Sequence, residues 1–149
     1  MTAPVRTATH SNEGIVCRLY DEVFSQGRLS VVDEIVSPDF VDHIPTLLPG
    51  QPTRGRESMR WFAQQYRAAF PDLQIAIEDT IVSDDRVVTR VTWSGTHEGM
   101  ILGIDPTRRR INAMGIDIAR ITDGRIAEHW GQIDVLTIIA QLGFLPDIF

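Results

Sequence analysis

Asp117 interrupts "AMGIDIARI", a run of small and apolar residues that alternates like a strand, and His129 stands in the next such run, "RIAEHWGQID". A carboxylate and an imidazole on adjoining strands suit acid/base catalysis, because desolvation raises the pKa of an acid placed among alanine and glycine. A period of two puts Ala113, Gly115, Asp117 and Ala119 on one face, and Met114, Ile116, Ile118 and Arg120 on the other. The turn decides whether the histidine joins the first face. A two-residue Asp123-Gly124 loop sets Asp117 opposite Trp130, whereas a three-residue loop with Gly124 as a left-handed bulge sets it opposite His129. The second register is favoured, since it gathers Ala127, His129 and Gly131 around Asp117 and leaves room for a ligand. In it Asp117 is the expected base and His129 its partner; a structural acid bonded to backbone or to His129 is the plain alternative.

A second hairpin turns at "SDD". A two-residue Asp84-Asp85 loop pairs Asp79 with Arg90, Ile77 with Thr92 and Ile75 with Ser94, so Arg90 and Thr92 are expected as a polar lining to the same pocket. The alternative is a structural ion pair of Asp79 with Arg90. His43, in "VDHIP", shares its alternation with Val41 and Pro45 and is expected at the pocket mouth, the alternative being that it stabilises the turn into the loop "TLLPGQPTRG". His97, at a strand end before Gly99, fits loop hydrogen bonding better. Trp93 and Trp130 read as core or subunit-contact residues. With no HxH or HExxH spacing, and with candidate ligands scattered over separate elements, no metal site is expected.

Elements positioning these residues follow from periodicity. Residues 12–25 repeat apolar positions at helical spacing, with Ser11 as N-cap and Gly27 as stop. A short helix over 30–36 ends at "SP", and the strand "FVDHIP" follows. "RGRESMRWFAQQYRAAFPD" aligns Met59, Phe62, Tyr66 and Phe70 on one face of a third helix. Four strands come next: "LQIAIEDTIV", "RVVTRVTWSGTH", "RINAMGIDIARI" and "RIAEHWGQID". "VLTIIAQLGF" closes as a short helix, and the tail "GFLPDIF" is expected to fold back over the pocket or a subunit seam. Helices first and antiparallel strands afterwards make an α+β domain with helices on one face of a curved sheet. The 149 residues fit one domain, with 1–10 as an arm.

Composition narrows the classes. A net charge of −6 disfavours nucleic acid as a partner. No apolar run is long enough to span a membrane, and the absence of a signal-like stretch gives a cytoplasmic expectation. Cys17, the single cysteine, forms no internal disulfide. The face of Met114, Ile116, Ile118 and Trp130 is too apolar to stay wet, so a homodimer is expected.

Together, "FVDHIP", "AFPDL", "GTHEGMILGIDPT", "GIDIARITDGRIAEHW" and "QLG" resemble the SnoaL-like polyketide cyclases and related ester cyclases over residues 11–143. The resemblance implies the nuclear transport factor 2-like fold: a cone-shaped, curved antiparallel sheet with three N-terminal helices enclosing a deep pocket, usually as a dimer. It implies a cofactor-independent aldol step driven by a carboxylate on the last strand and a histidine on the strand before it. By spacing from "DGRI", that aspartate position falls on Gly131 and that histidine position on Asp117. Phe24 and Phe62 stand where the cyclases carry polar pocket residues, and with Tyr66 and Gly131 they are expected to line the pocket. Three readings result: a cofactor-independent acid/base enzyme on a small, fairly apolar carbonyl compound (cyclisation, isomerisation or dehydration), a non-catalytic small-molecule-binding protein, or an epoxide hydrolase-like enzyme echoed by Asp79 and Arg90.

Overall fold

A computed structural model describes residues 11–46 and 48–145. The first helix starts at Asn12, where the Ser11 hydroxyl accepts the Gly14 N–H at 2.9 Å. It runs as α1 (Asn12–Arg18) and widens into a π-helical stretch (Leu19–Ser25), ending before Gly27 at a φ of 72°. A single turn over Leu29–Val31 leads into α2 (Val32–Ile35) and then the edge strand β1 (Val36–Asp42). This strand begins earlier than "FVDHIP" suggests; Pro38, which has no N–H to donate, is tolerated because the strand lies at the sheet edge.

The long helix α3 (Arg56–Ala69) buries Met59, Phe62, Ala63, Tyr66 and Ala69, the stripe expected of a helix lying on a sheet. Strands β2 (Gln74–Ser83), β3 (Arg86–Thr96), β4 (Arg110–Thr122) and β5 (Arg125–Ile133) follow, and α4 (Val135–Gln141) is capped by Asp134, whose side chain accepts the Thr137 N–H. The sheet order is β1-β5-β4-β3-β2, antiparallel except for the parallel pair β1 and β5. The inner face of β4 buries Ile111, Ala113, Asp117, Ala119 and Ile121, while Met114 and Ile116 on the outer face are exposed. Helices cover the inner face through an aromatic cluster in which Phe24, Phe62 and Tyr66 all pack on Trp93.

Two bulges fix which side chains face inward. Ser83 pairs with Arg86 and Asp79 with Arg90 as a two-residue turn requires, but an irregularity at Glu78 then sets Ile77 against Val91 and Ile75 against Trp93. The expected pairings of Ile77 with Thr92 and Ile75 with Ser94 are therefore replaced. In the other hairpin Asp123 and Gly124, both at positive φ, make a two-residue turn pairing Thr122 with Arg125. A bulge at Ala127 then shifts the register by one, and Asp117 faces Gly131. Neither register read from the sequence is the one formed. His129 still joins the face of Asp117, because one inserted residue reverses the parity of everything after it.

Of the tail, Phe144 and Leu145 are exposed, which gives no support to the expected fold-back; the remainder, 146–149, lies outside the described residues, as does the arm 1–10.

Candidate active site

Four elements deliver one polar cluster to the buried end of the pocket. Asp117 comes from the middle of β4, His129 from β5 beyond its bulge, Asp42 from the end of β1 and Tyr20 from the π-helical stretch of the first helix. The Tyr20 hydroxyl donates to Asp117 Oδ2 at 2.7 Å and lies 3.0 Å from Thr89 Oγ1. On the other side of the carboxylate, His129 Nε2 pairs with Asp117 Oδ1 at 3.3 Å, while its Nδ1 lies 3.2 Å from Asp42 Oδ1. The Ile44 N–H donates to that same Asp42 oxygen. Imidazole and carboxylates are all buried.

Burial opposes a charge on the His129 ring, but Asp117 and Asp42 outweigh it and raise the pKa to about 9. The ring keeps its proton at neutral pH, held between the Asp117 and Asp42 side chains. Burial, reinforced by the Asp117 charge, pushes the Tyr20 phenol well above its ordinary value, so it remains a donor.

Gly131 is where it is because of Asp117. A Cβ at position 131 would lie 2.1 Å from Asp117 Oδ1 and 3.0 Å from His129 Cε1. The carboxylate of β4 thus fills the space that a side chain on β5 would need, and only glycine leaves it free.

Two chambers lie at the site. An inner one of about 20 Å³ touches Asp117, His129, Asp42 and Tyr20; it has room for one water, which needs about 10–15 Å³. An outer one of about 400 Å³ is mostly apolar, lined by Phe62, Tyr66, Gly131, Leu102, Val135 and Leu136 among others. Ile44, Phe62 and Ile133 line both, and the wall they share is called the neck.

The predicted site residues therefore divide. Asp117, His129, Phe24, Phe62, Tyr66 and Gly131 are at the cavity. Arg90, Thr92 and His43 are on the outer face of the sheet. Arg90 pairs with Asp79 at 2.6 Å, with both side chains exposed, and the Thr92 hydroxyl donates to Glu78 at 2.9 Å. On β3 the inward positions are Thr89, Val91 and Trp93, so Arg90 and Thr92 fall on the wrong parity. His43 stacks on Trp130 with centroids 4.8 Å apart and pairs with Glu128 at 3.2 Å. It follows the outward alternation of Val41, and it is Asp42 that faces in. His97 is fully buried, its Nδ1 3.0 Å from Thr107 Oγ1, and it fastens the segment 97–109 as a loop residue.

Tyr20, Asp42 and Thr89 were not expected in the site. Tyr20 reads as one more apolar position of a helix, and Thr89 becomes visible only once the β3 parity is known. The signal for Asp42 is its parity with Phe40, but its partner depends on the parallel pairing of β1 with β5, where Asp42 aligns with His129.

No group of three His, Cys, Asp or Glu among the described residues is arranged to hold a metal ion, and no helix among them is long and apolar enough to cross a membrane.

The family model for SnoaL-like polyketide cyclases matches residues 14–142. The chain belongs to that family. Among SnoaL-like relatives, the nogalonic acid methyl ester cyclase of Streptomyces nogalater is 28% identical over 127 residues, covering 80% of this chain and 89% of the relative. The aklanonic acid methyl ester cyclase DnrD of Streptomyces peucetius is 26% identical over 129 residues, covering 82% and 84%. In structure, IdmH of Streptomyces antibioticus superposes with a TM-score of 0.80 at 34% identity, over 90% of this chain and 99% of that one. TsrD of Streptomyces laurentii gives 0.77 at 32%, over 88% and 96%. These SnoaL-like neighbours agree with the fold: a curved open sheet with helices across one face.

Proposed function

We propose that the protein is a cofactor-independent acid/base enzyme acting on a small, fairly apolar carbonyl compound, with an intramolecular aldol ring closure as its reaction. The observation that carries this reading is the Asp117 carboxylate at the floor of an apolar pocket, beside a histidine cation at 3.3 Å. The similarity to two ester cyclases supports the reaction class.

The substrate lies in the outer chamber with its acidic C–H at the neck. Asp117 takes that proton over one water in the inner chamber, the distance a general base is allowed to span. The electron pair left on carbon forms the new C–C bond to a second carbonyl, whose oxygen becomes an alkoxide and takes the proton back from Asp117. His129, already protonated, offsets the negative charge that develops nearby, and its second N–H is held by Asp42. His43 and Arg90 play no part, being on the other face. We place this enzyme in the cytoplasm as a homodimer joined through the outer face around Met114 and Ile116.

A binding protein without chemistry is the second reading, and one observation favours it: both oxygens of Asp117 already have protein partners. Epoxide hydrolysis loses its support, since the Asp79 and Arg90 pair that suggested it is exposed on the outer face.

Asp117→Asn separates the first two readings. With nogalonic or aklanonic acid methyl ester as substrate, the variant is expected to bind within a few-fold of wild type and to turn over about a hundredfold or more slowly. Equal turnover would remove Asp117 from the chemistry; no turnover by wild type of these esters or of other enolisable aromatic keto esters would favour the binding protein.

A further inference from the structure

Tyr66 projects from α3 into the wall of the outer chamber. Its ring packs 4.7 Å from Phe62 and 5.0 Å from Trp93, and only 6% of the residue is exposed. No group among the described residues forms a hydrogen bond with its hydroxyl, which is not sealed in the wall but opens on the chamber. A phenol at a chamber wall takes its partner from whatever fills the chamber, water or a ligand. The other polar groups of this aromatic wall are committed or sealed. The Tyr20 hydroxyl is held by Asp117 and Thr89, and the Trp93 indole nitrogen is buried against the Gly115 position. Burial also pushes the Tyr66 phenol up to about 12, so it keeps its proton and is a donor in search of an acceptor.

We propose that Tyr66 is the specificity residue of this pocket, donating a hydrogen bond to a ketone oxygen on a planar apolar ligand that lies along Phe62. Phe62 lines both chambers, so a ligand anchored at Tyr66 lies against the wall shared with the Asp117 chamber. The proposal rests on the small-molecule pocket described above but not on turnover. It selects for two features of the ligand: a flat apolar body and an acceptor oxygen remote from the carbon that loses a proton. A hydrocarbon of the same outline leaves the Tyr66 hydroxyl unsatisfied, which is how a polar donor in an apolar wall discriminates.

Two probes of matched shape test this: 2-acetylnaphthalene, and 2-isopropenylnaphthalene, in which a CH₂ replaces the ketone oxygen. Their affinities are measured by calorimetric titration and by quenching of tryptophan fluorescence. Wild type is expected to prefer the ketone by about two- to tenfold, the worth of one neutral hydrogen bond. Tyr66→Phe removes one oxygen without a protein partner, so it is expected to fold normally, bind the hydrocarbon as wild type does and lose the preference. A preference that survives in Tyr66→Phe, an equal loss for both probes, or no saturable binding of either would overturn the proposal. Asp117→Asn, titrated in parallel, is expected to retain the preference. A failure of Asp117→Asn to slow turnover would count against the acid/base reading alone.

Discussion

Raising the pH removes the proton from His129 and should loosen the fold in a defined window. In the folded protein the ring titrates near 9, against 6.5 for an ordinary histidine, because Asp117 and Asp42 outweigh its burial. A group whose folded pKa lies above its unfolded one contributes stability that is complete below the unfolded value and lost as pH rises through the folded value. The window is therefore about pH 6.5 to 9. The gap of about 2.5 pH units, at about 1.4 kcal/mol for each, corresponds to roughly 3 kcal/mol. The loss is that of the ring's pairing with both carboxylates, and so appears as one macroscopic step. Urea unfolding at half-unit steps from pH 6 to 9.5 measures it, with His129→Gln as comparison. Both proteins should carry Cys17→Ala, since burial raises that thiol above its ordinary 9.0 and would add its own loss at the top of the window. The Cys17→Ala protein should lose most of its roughly 3 kcal/mol by pH 9, and the His129→Gln protein should be nearly flat. Removing the cation strands two buried carboxylates and can unfold the variant, so imidazole ¹⁵N shifts in the protein with His129 intact give a direct reading: both ring nitrogens protonated at pH 7. A neutral ring at pH 7, or equal slopes for the two proteins, would refute the reasoning.

Gly131→Ala places a methyl group 2.1 Å from Asp117 Oδ1 and should cost about 1–3 kcal/mol in denaturant unfolding; the same change made in an Asp117→Ala background should cost much less, and simple additivity would show that the two positions do not share space. Arg90→Ala and His43→Ala should leave ligand affinity within twofold, since both side chains are on the outer face, and losing the exposed Arg90 pair should change stability by less than about 1 kcal/mol. Met114 and Ile116, each 48% exposed, should lie in a dimer seam, so light scattering should give about twice 16.7 kDa for wild type and a monomer for Ile116→Glu; a wild-type monomer at micromolar concentration would end the dimer proposal.

Local pattern in the sequence determined a good deal. Ser11 and Gly27 bracket the first helix, a stripe of Met59, Phe62 and Tyr66 marks the third, and alternation around Asp117 puts the carboxylate on the buried face. Each of these depends on neighbours within a few residues, which is the range over which helical and strand periods act. Asp117 and His129 were legible as a pair for the same reason, since one hairpin joins them, although the turn that was expected to align them is not the one that formed.

Only the tertiary structure decided the rest. A single bulged residue reverses every later side chain of its strand, so the bulge at Ala127 brought His129 inward, while the position of Arg90 and Thr92 depended on a β3 parity that alternation among mixed residues does not declare. Asp42 and Tyr20 are 87 and 97 residues from their partners His129 and Asp117. Nothing local in "VDHIP" says that Asp42 faces His129, or that His43 instead lies on Trp130; the parallel pairing of β1 with β5 says it. The vacancy at Gly131 has the same origin: a glycine in a strand is only a weak spot in the sequence, and becomes a requirement once the carboxylate from the neighbouring strand occupies its side-chain space.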